Sequence, residues 1–197
     1  MRVTLIDANS NGMQSMVDTI GICRNKKCTL DTIEKALEAK PVPHMSVLEF
    51  GWAMVKVEGV SIKTARQLFR HRHFSYMEES TRSVDMSKAE MIEPKTAQDE
   101  FGMFLDSSMS YYQEAILEYC ETLEDAAYLL PLGITTKFFL AGNIRTWFEY
   151  FEKRLCKKHV QDEHWALAVM AWELLQTEFP ILAKAHPCKK CGKCKQT

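Results

Sequence analysis

The chain has 197 residues, with 25 Lys+Arg against 26 Asp+Glu and a net charge of -1. That length accommodates one domain with a sizeable core. The near-neutral balance excludes a general attraction to nucleic acid or anionic membrane, so any bound anion must be held by a local cluster. No apolar run reaches the ~18–20 residues of a membrane span, and residues 1–10 lack a basic region followed by an apolar signal core, so the expectation is a soluble, cytoplasmic protein. The 7 cysteines, an odd number in a chain without a recognisable secretion signal, read as reduced thiols and not as a disulfide framework.

In chain order, Val3 and Ile6 alternate with polar residues and predict a short first strand over 1–6, followed by a loop and helix start over 9–16. Leu30, Ile33, Ala36 and Leu37 fall on one helical face, with Thr29 or Asp31 as cap, and Pro41 and Pro43 stop that helix. Phe50, Trp52 and Met54 alternate with Glu49, Gly51 and Ala53, predicting a strand over 48–57 with an irregularity near Met54 and an end at Glu58-Gly59. Ser61 caps a helix that turns Ala65, Leu68 and Phe69 inward. The polar run to Asp99 reads as loop with at most a short strand. Three helical patterns follow, over 99–130, 135–153 and 160–179. Pro131 closes the first of them, and the last carries Trp165, Ala168, Val169, Trp172 and Leu175. The expected fold is α/β (α+β), one domain over 1–187 with helices around a mainly antiparallel sheet, and a Cys/Lys-rich tail over 188–197.

The densest chemistry lies in 70–82, where Arg70, His71, Arg72, His73, Glu78, Glu79, Ser80 and Arg82 crowd together directly after the apolar run 61–69. Guanidinium groups offer a fixed fork of donors suited to phosphate, and carboxylates and hydroxyls supply the acceptors a ribose needs. Arg70-His71-Arg72, seven residues and then Ser80, with Arg82 two further on, resembles the signature of the flavin-dependent thymidylate synthases. Other segments resemble that family in the same order. They are His44-x-Ser46 with Glu49, Gln67 three residues before Arg70, Leu130-Pro131, Asn143-x-Arg145, Arg154 eleven residues after Asn143, and Gln161-x-Glu163 displaced by one residue.

The resemblance implies reductive methylation of 2′-deoxyuridine 5′-monophosphate (dUMP) to dTMP. Its implied cofactor is FAD, with NADPH and methylenetetrahydrofolate as co-substrates, in a homotetramer whose sites lie between subunits. It assigns His44, Ser46, Arg70, His71, Arg72, Glu78, Asn143 and Arg145 to the flavin. Gln67, Ser80, Arg82 and Arg154 go to the nucleotide, with Arg154 and Ser80 nearest the chemistry. Read without the family, Asn143 and Arg145 would cap and salt-bridge a helix, and Arg154 would be a surface arginine. A related methylase or hydroxymethylase of another pyrimidine deoxynucleotide such as dCMP is an alternative within enzymes, and a non-catalytic nucleotide- or RNA-binding module is one outside them.

The chain departs from the family pattern at Met77, Ser83 and Phe50, and at Ala127, four residues before Pro131, where the family offers an arginine to the nucleotide. Loss of such a charge-assisted hydrogen bond costs about 1.5–3 kcal/mol, and Lys137 or Lys153 is the candidate replacement. In the tail, Cys188, Cys191 and Cys194 form two overlapping Cys-x2-Cys pairs. With His186, or with Cys23 and Cys28, they form a candidate zinc site, against the alternative of a basic terminus with free thiols.

Overall fold

Ala53, Val55 and Val57 are buried while the residues between them are partly exposed, the period-two pattern of a strand with one face on a core. In the computed structural model, which describes residues 1–39 and 44–185, this strand is β2, Trp52–Ser61. The buried parity shifts between Val57 and Val60, across Glu58 and Gly59, and Gly59 has φ 69. One residue in the left-handed region, open to glycine at little steric cost, absorbs the shift. The irregularity therefore lies at Gly59 and not near Met54, and Glu58-Gly59 does not end the strand. The expected start at residue 48 is also corrected, because Ser46–Phe50 is a 3-10 turn that buries Val47 and Leu48.

The other strands are β1 (Arg2–Ala8), β3 (Ser75–Glu78) and β4 (Thr135–Asn143), and the sheet order is β1-β2-β4-β3. Neighbours run antiparallel. The amide of Asn9 bonds the Trp52 carbonyl (3.2 Å), that of Ile62 the Ile134 carbonyl (2.9 Å), and that of Glu79 the Lys137 carbonyl (2.9 Å). The helices are α1 (Gly12–Arg24), α2 (Leu30–Leu37), α3 (Ile62–Leu68), α4 (Phe101–Glu114), α5 (Leu123–Ala126), α6 (Ile144–Arg154) and α7 (Asp162–Glu178). Among the described residues no helix is long and apolar enough to cross a membrane.

Two helical expectations are corrected. The segment 135–153 is a strand and then a helix. Thr136, Phe138 and Leu140 are buried while Lys137 and Phe139 are exposed, and Asn143 then caps α6 through its Oδ1, which accepts from the Thr146 amide at 2.9 Å. The segment 99–130 is interrupted after Glu114. A π turn over Ala115–Tyr119 leads to Cys120 in extended backbone, and Thr122 restarts the chain by accepting from the Asp125 amide at 3.1 Å. A β-branched hydroxyl residue competes for backbone groups in a helix interior and favours the cap, which explains the restart at Thr122. In α7 the buried stripe is His164, Leu167, Ala168, Ala171 and Leu175. Trp165 and Trp172 lie half-buried beside it, with their indole N–H groups on the Leu155 (3.2 Å) and Leu182 (3.0 Å) carbonyls.

The chain sorts into two compact units. Among the described residues, one holds 57–70 and 77–138 with Met1, the other 2–39, 44–56, 71–76 and 139–185. The first has a core of Met86, Met109, Tyr112, Ala115, Ala126 and Ile134, in which the Tyr112 hydroxyl accepts from the Met86 amide at 3.1 Å. In the second, α7 packs on β1 and on α6, and α1 packs on α2 and on the 46–50 turn. Trp147, Tyr150 and Phe151 from α6 fill its centre, with Phe74 against Trp147 at 4.6 Å between ring centroids.

Candidate active site

Gln67, Arg70, Glu78, Ser80 and Arg82 belong to the first unit; His44, Ser46, His71, Arg72, Asn143, Arg145 and Arg154 belong to the second. In the first, Ser61 accepts from the Thr64 amide at 3.1 Å and starts α3. This helix carries Gln67 and leaves Arg70 exposed just beyond its C-terminal end. β3 then presents Glu78, half-buried, whose carboxyl is raised above the usual range by burial, against the opposing hydrogen bond of Thr136 and the charge of Arg66. Ser80 and Arg82 are exposed, and the Arg82 amide donates to the Ser80 oxygen at 3.3 Å. The Arg82 guanidinium reaches Glu124 on α5 at 2.9 Å, three residues from Ala127. Lys137, a candidate substitute for the missing arginine, is held by Glu79 at 2.6 Å.

In the second unit α6 organises the cluster. Asn143 caps it, and its Oδ1 also accepts from the Thr146 hydroxyl at 2.9 Å. Arg145 donates through Nη1 to Glu49 (2.6 Å) and through Nε to Glu149 (3.0 Å), and these two hydrogen bonds raise its pKa. Both residues thus do what the alternative reading without the family assigned to them. His44, Ser46 and Arg72 are exposed.

At the other end of α6, Arg154 Nε donates to His71 Nε2 at 3.0 Å. His71 must therefore be neutral there, with its proton on Nδ1. Burial, with the positive charges of Arg154 and Lys153 behind it, lowers the His71 pKa to about 4. The imidazole stands edge-on to Tyr150, 5.0 Å between centroids, and 6.5 Å from the ring of His164, which lies 5.8 Å from Tyr150. His164 is fully buried, and burial first, then Arg154 and His71, lower its pKa to about 3. The Tyr150 hydroxyl is buried with no hydrogen-bond partner among the described residues. Neither Tyr150 nor His164 stands among the site residues expected from sequence. Tyr150 had a signal, since it stands four residues before Arg154 on one helix face. His164 had none, because a histidine within an apolar stripe has no periodicity of its own. The cysteines and histidine of the candidate zinc site in the tail lie outside the described residues, and among the described residues no cluster of three metal-ligating side chains occurs.

Residues 4–181 match the family described as Thymidylate synthase complementing protein. Among curated relatives, the flavin-dependent thymidylate synthase of Sulfurisphaera tokodaii is 30% identical over 152 residues, covering 73% of this chain and 55% of that protein. The enzyme of the same name from Pyrococcus furiosus is 25% identical over 195 residues, covering 89% and 78%. The chain thus spans little more than half the length of the first of these. Among solved structures, thymidylate synthase X of Helicobacter pylori, crystallised with FAD and dUMP, has a TM-score of 0.78 at 16% identity over 93% of this chain and 98% of that one, a likeness of fold.

Proposed function

The chain belongs to the thymidylate synthase complementing protein family, and on that premise we propose that it converts dUMP to dTMP by reductive methylation. Methylenetetrahydrofolate is the carbon donor, FAD the hydride carrier and NADPH the reductant, in a cytoplasmic homotetramer. The observation that carries the reading is Arg154. It stands where the family motif has its substrate arginine, and its Nε is fixed by a neutral imidazole at 3.0 Å. That contact sets no negative charge against the guanidinium.

A flavin diphosphate needs cations and donors. In the second unit Arg72 is exposed and supplies charge, and His44, Ser46 and Asn143 add polar groups, so the donors of that unit fit; Arg70, in the first unit, is exposed as well. Arg145 contributes less charge than sequence suggests, because Glu49 and Glu149 offset it. When bound, the flavin supplies the hydride consumed in the net reaction. Gln67, Ser80 and Arg82 bind and orient the nucleotide phosphate and ribose. Arg154 faces the pyrimidine carbonyl edge and stabilises the negative charge that grows there as the ring is attacked. A guanidinium only donates, which suits the C4 carbonyl of uracil and not the amino group of cytosine.

The test is tritium release from C5-labelled dUMP by the full-length protein. Arg154→Ala is expected to lower it by about 10²-fold or more while flavin stays bound. Release from labelled dCMP with none from dUMP would overturn the proposal.

A further inference from the structure

We infer that His71 is a positioning residue for Arg154, an uncharged anchor that aims the guanidinium without neutralising it. The inference rests on the reading of Arg154 as the substrate arginine.

Three of the arginines assigned to ligands, Arg82, Arg145 and Arg154, meet side-chain partners that differ in kind. Arg82 is held by Glu124 at 2.9 Å, and Arg145 by Glu49 at 2.6 Å and Glu149 at 3.0 Å. A carboxylate partner fixes a guanidinium but sets a negative charge against it, which offsets part of its charge. Arg154 instead donates Nε–H to an imidazole nitrogen at 3.0 Å. This contact uses one of the five N–H donors for orientation and brings no opposing charge with it.

An anchor is useful only if it is immobile and keeps its lone pair. The His71 ring is set edge-on to Tyr150 at 5.0 Å, one helical turn before Arg154 on α6. Tyr150 is fully buried and fixed in turn by Phe74 (5.8 Å), Trp147 (6.1 Å), Phe151 (5.5 Å) and His164 (5.8 Å). Protonation at Nε2 would place two cations donor to donor. The burial and positive charge that lower the His71 pKa keep the acceptor available across the neutral range. Arginine loses rotamer entropy when fixed, and an anchor present before the ligand arrives removes part of that cost from binding.

The experiment compares wild type with His71→Gln, which keeps an acceptor on a side chain of similar reach, and His71→Leu, which fills space without one. Should the leucine variant fail to fold, His71→Asn, too short to reach Arg154, takes its place. Two readouts are taken on the full chain: exchange of the Arg154 Nε–H by 15N NMR without nucleotide, and dUMP affinity with kcat and KM. The expected result is a slowly exchanging Nε–H in wild type and the glutamine variant that is lost in the leucine variant. Its counterpart is a fall in dUMP affinity and in kcat/KM of about tenfold for leucine and no more than about threefold for glutamine. Equal Nε–H exchange in wild type and leucine variant overturns the anchoring whatever the substrate. Glutamine as damaged as leucine overturns it too, since packing would then be the cause, and so does dUMP affinity unchanged in both. Wild-type protein that binds no dUMP refutes the proposed substrate instead, and the exchange measurement still decides the anchor.

Discussion

His164, fully buried on α7 with its pKa lowered to about 3 from an ordinary 6.5, makes folding stability depend on pH in a defined direction. The unfolded chain protonates this imidazole below pH 6.5, and the folded state does not until near pH 3. Between those values the unfolded state binds more protons, so stability is full above pH 6.5 and falls as pH falls, until it levels off near the folded pKa. At pH 5 the unfolded imidazole sits 1.5 units below its pKa, and at 1.36 kcal/mol per unit the loss is about 2 kcal/mol. That figure depends only on the unfolded value as long as the folded pKa lies well below 5. His71 adds a loss of the same sign, reduced by solvent screening because its ring is only half-buried. Glu78, raised by burial, acts in the opposite sense at the acid end and cancels in a comparison with a variant. The assay is urea unfolding of wild type and His164→Leu followed by tryptophan fluorescence at pH 8, 6.5 and 5. The stability lost by wild type between pH 8 and 5 should exceed that lost by the variant by about 2 kcal/mol. Equal losses would show that His164 takes up its proton in the folded state at an ordinary pKa, and the reasoning would fall.

Gly142→Ala would place a Cβ 2.6 Å from the Phe74 ring, itself pressed on Trp147, so the fold should lose about 1–3 kcal/mol; an unchanged melting temperature would mean that Phe74 moves freely. Tyr150→Phe removes a buried hydroxyl that has no partner among the described residues, and calorimetry should show unchanged or higher stability, by up to about 1–3 kcal/mol, where a loss would reveal a hidden partner. Arg72→Ala removes an exposed cation and no core volume, so absorbance at the flavin bands should fall while the melting temperature holds. Flavin content equal to wild type would remove Arg72 from the cofactor site.

The chain signature was legible in sequence because covalent spacing alone carries it. Arg70-His71-Arg72 with Ser80, and Asn143, Arg145 and Arg154, keep their intervals whatever the fold does, and the Thr29 and Ser61 caps are local chemistry that the structure reproduces. The strand β4 was missed because Leu140 falls on one helical face with Trp147 and Phe151 when 135–153 is read as a single helix. Only hydrogen bonding to neighbours distant in sequence selects between the periods. The break at Cys120 escaped for a related reason, since apolar residues continue at helical spacing past the point where the backbone leaves the helix. What each arginine of the motif touches could not be read at all. Arg145 meets Glu49, 96 positions away, and Arg154 meets His71, 83 positions away. Charge on a guanidinium is fixed by its residue type, but whether that charge is offset by carboxylates or left intact by a neutral imidazole is a property of side chains that only tertiary packing brings within 3 Å.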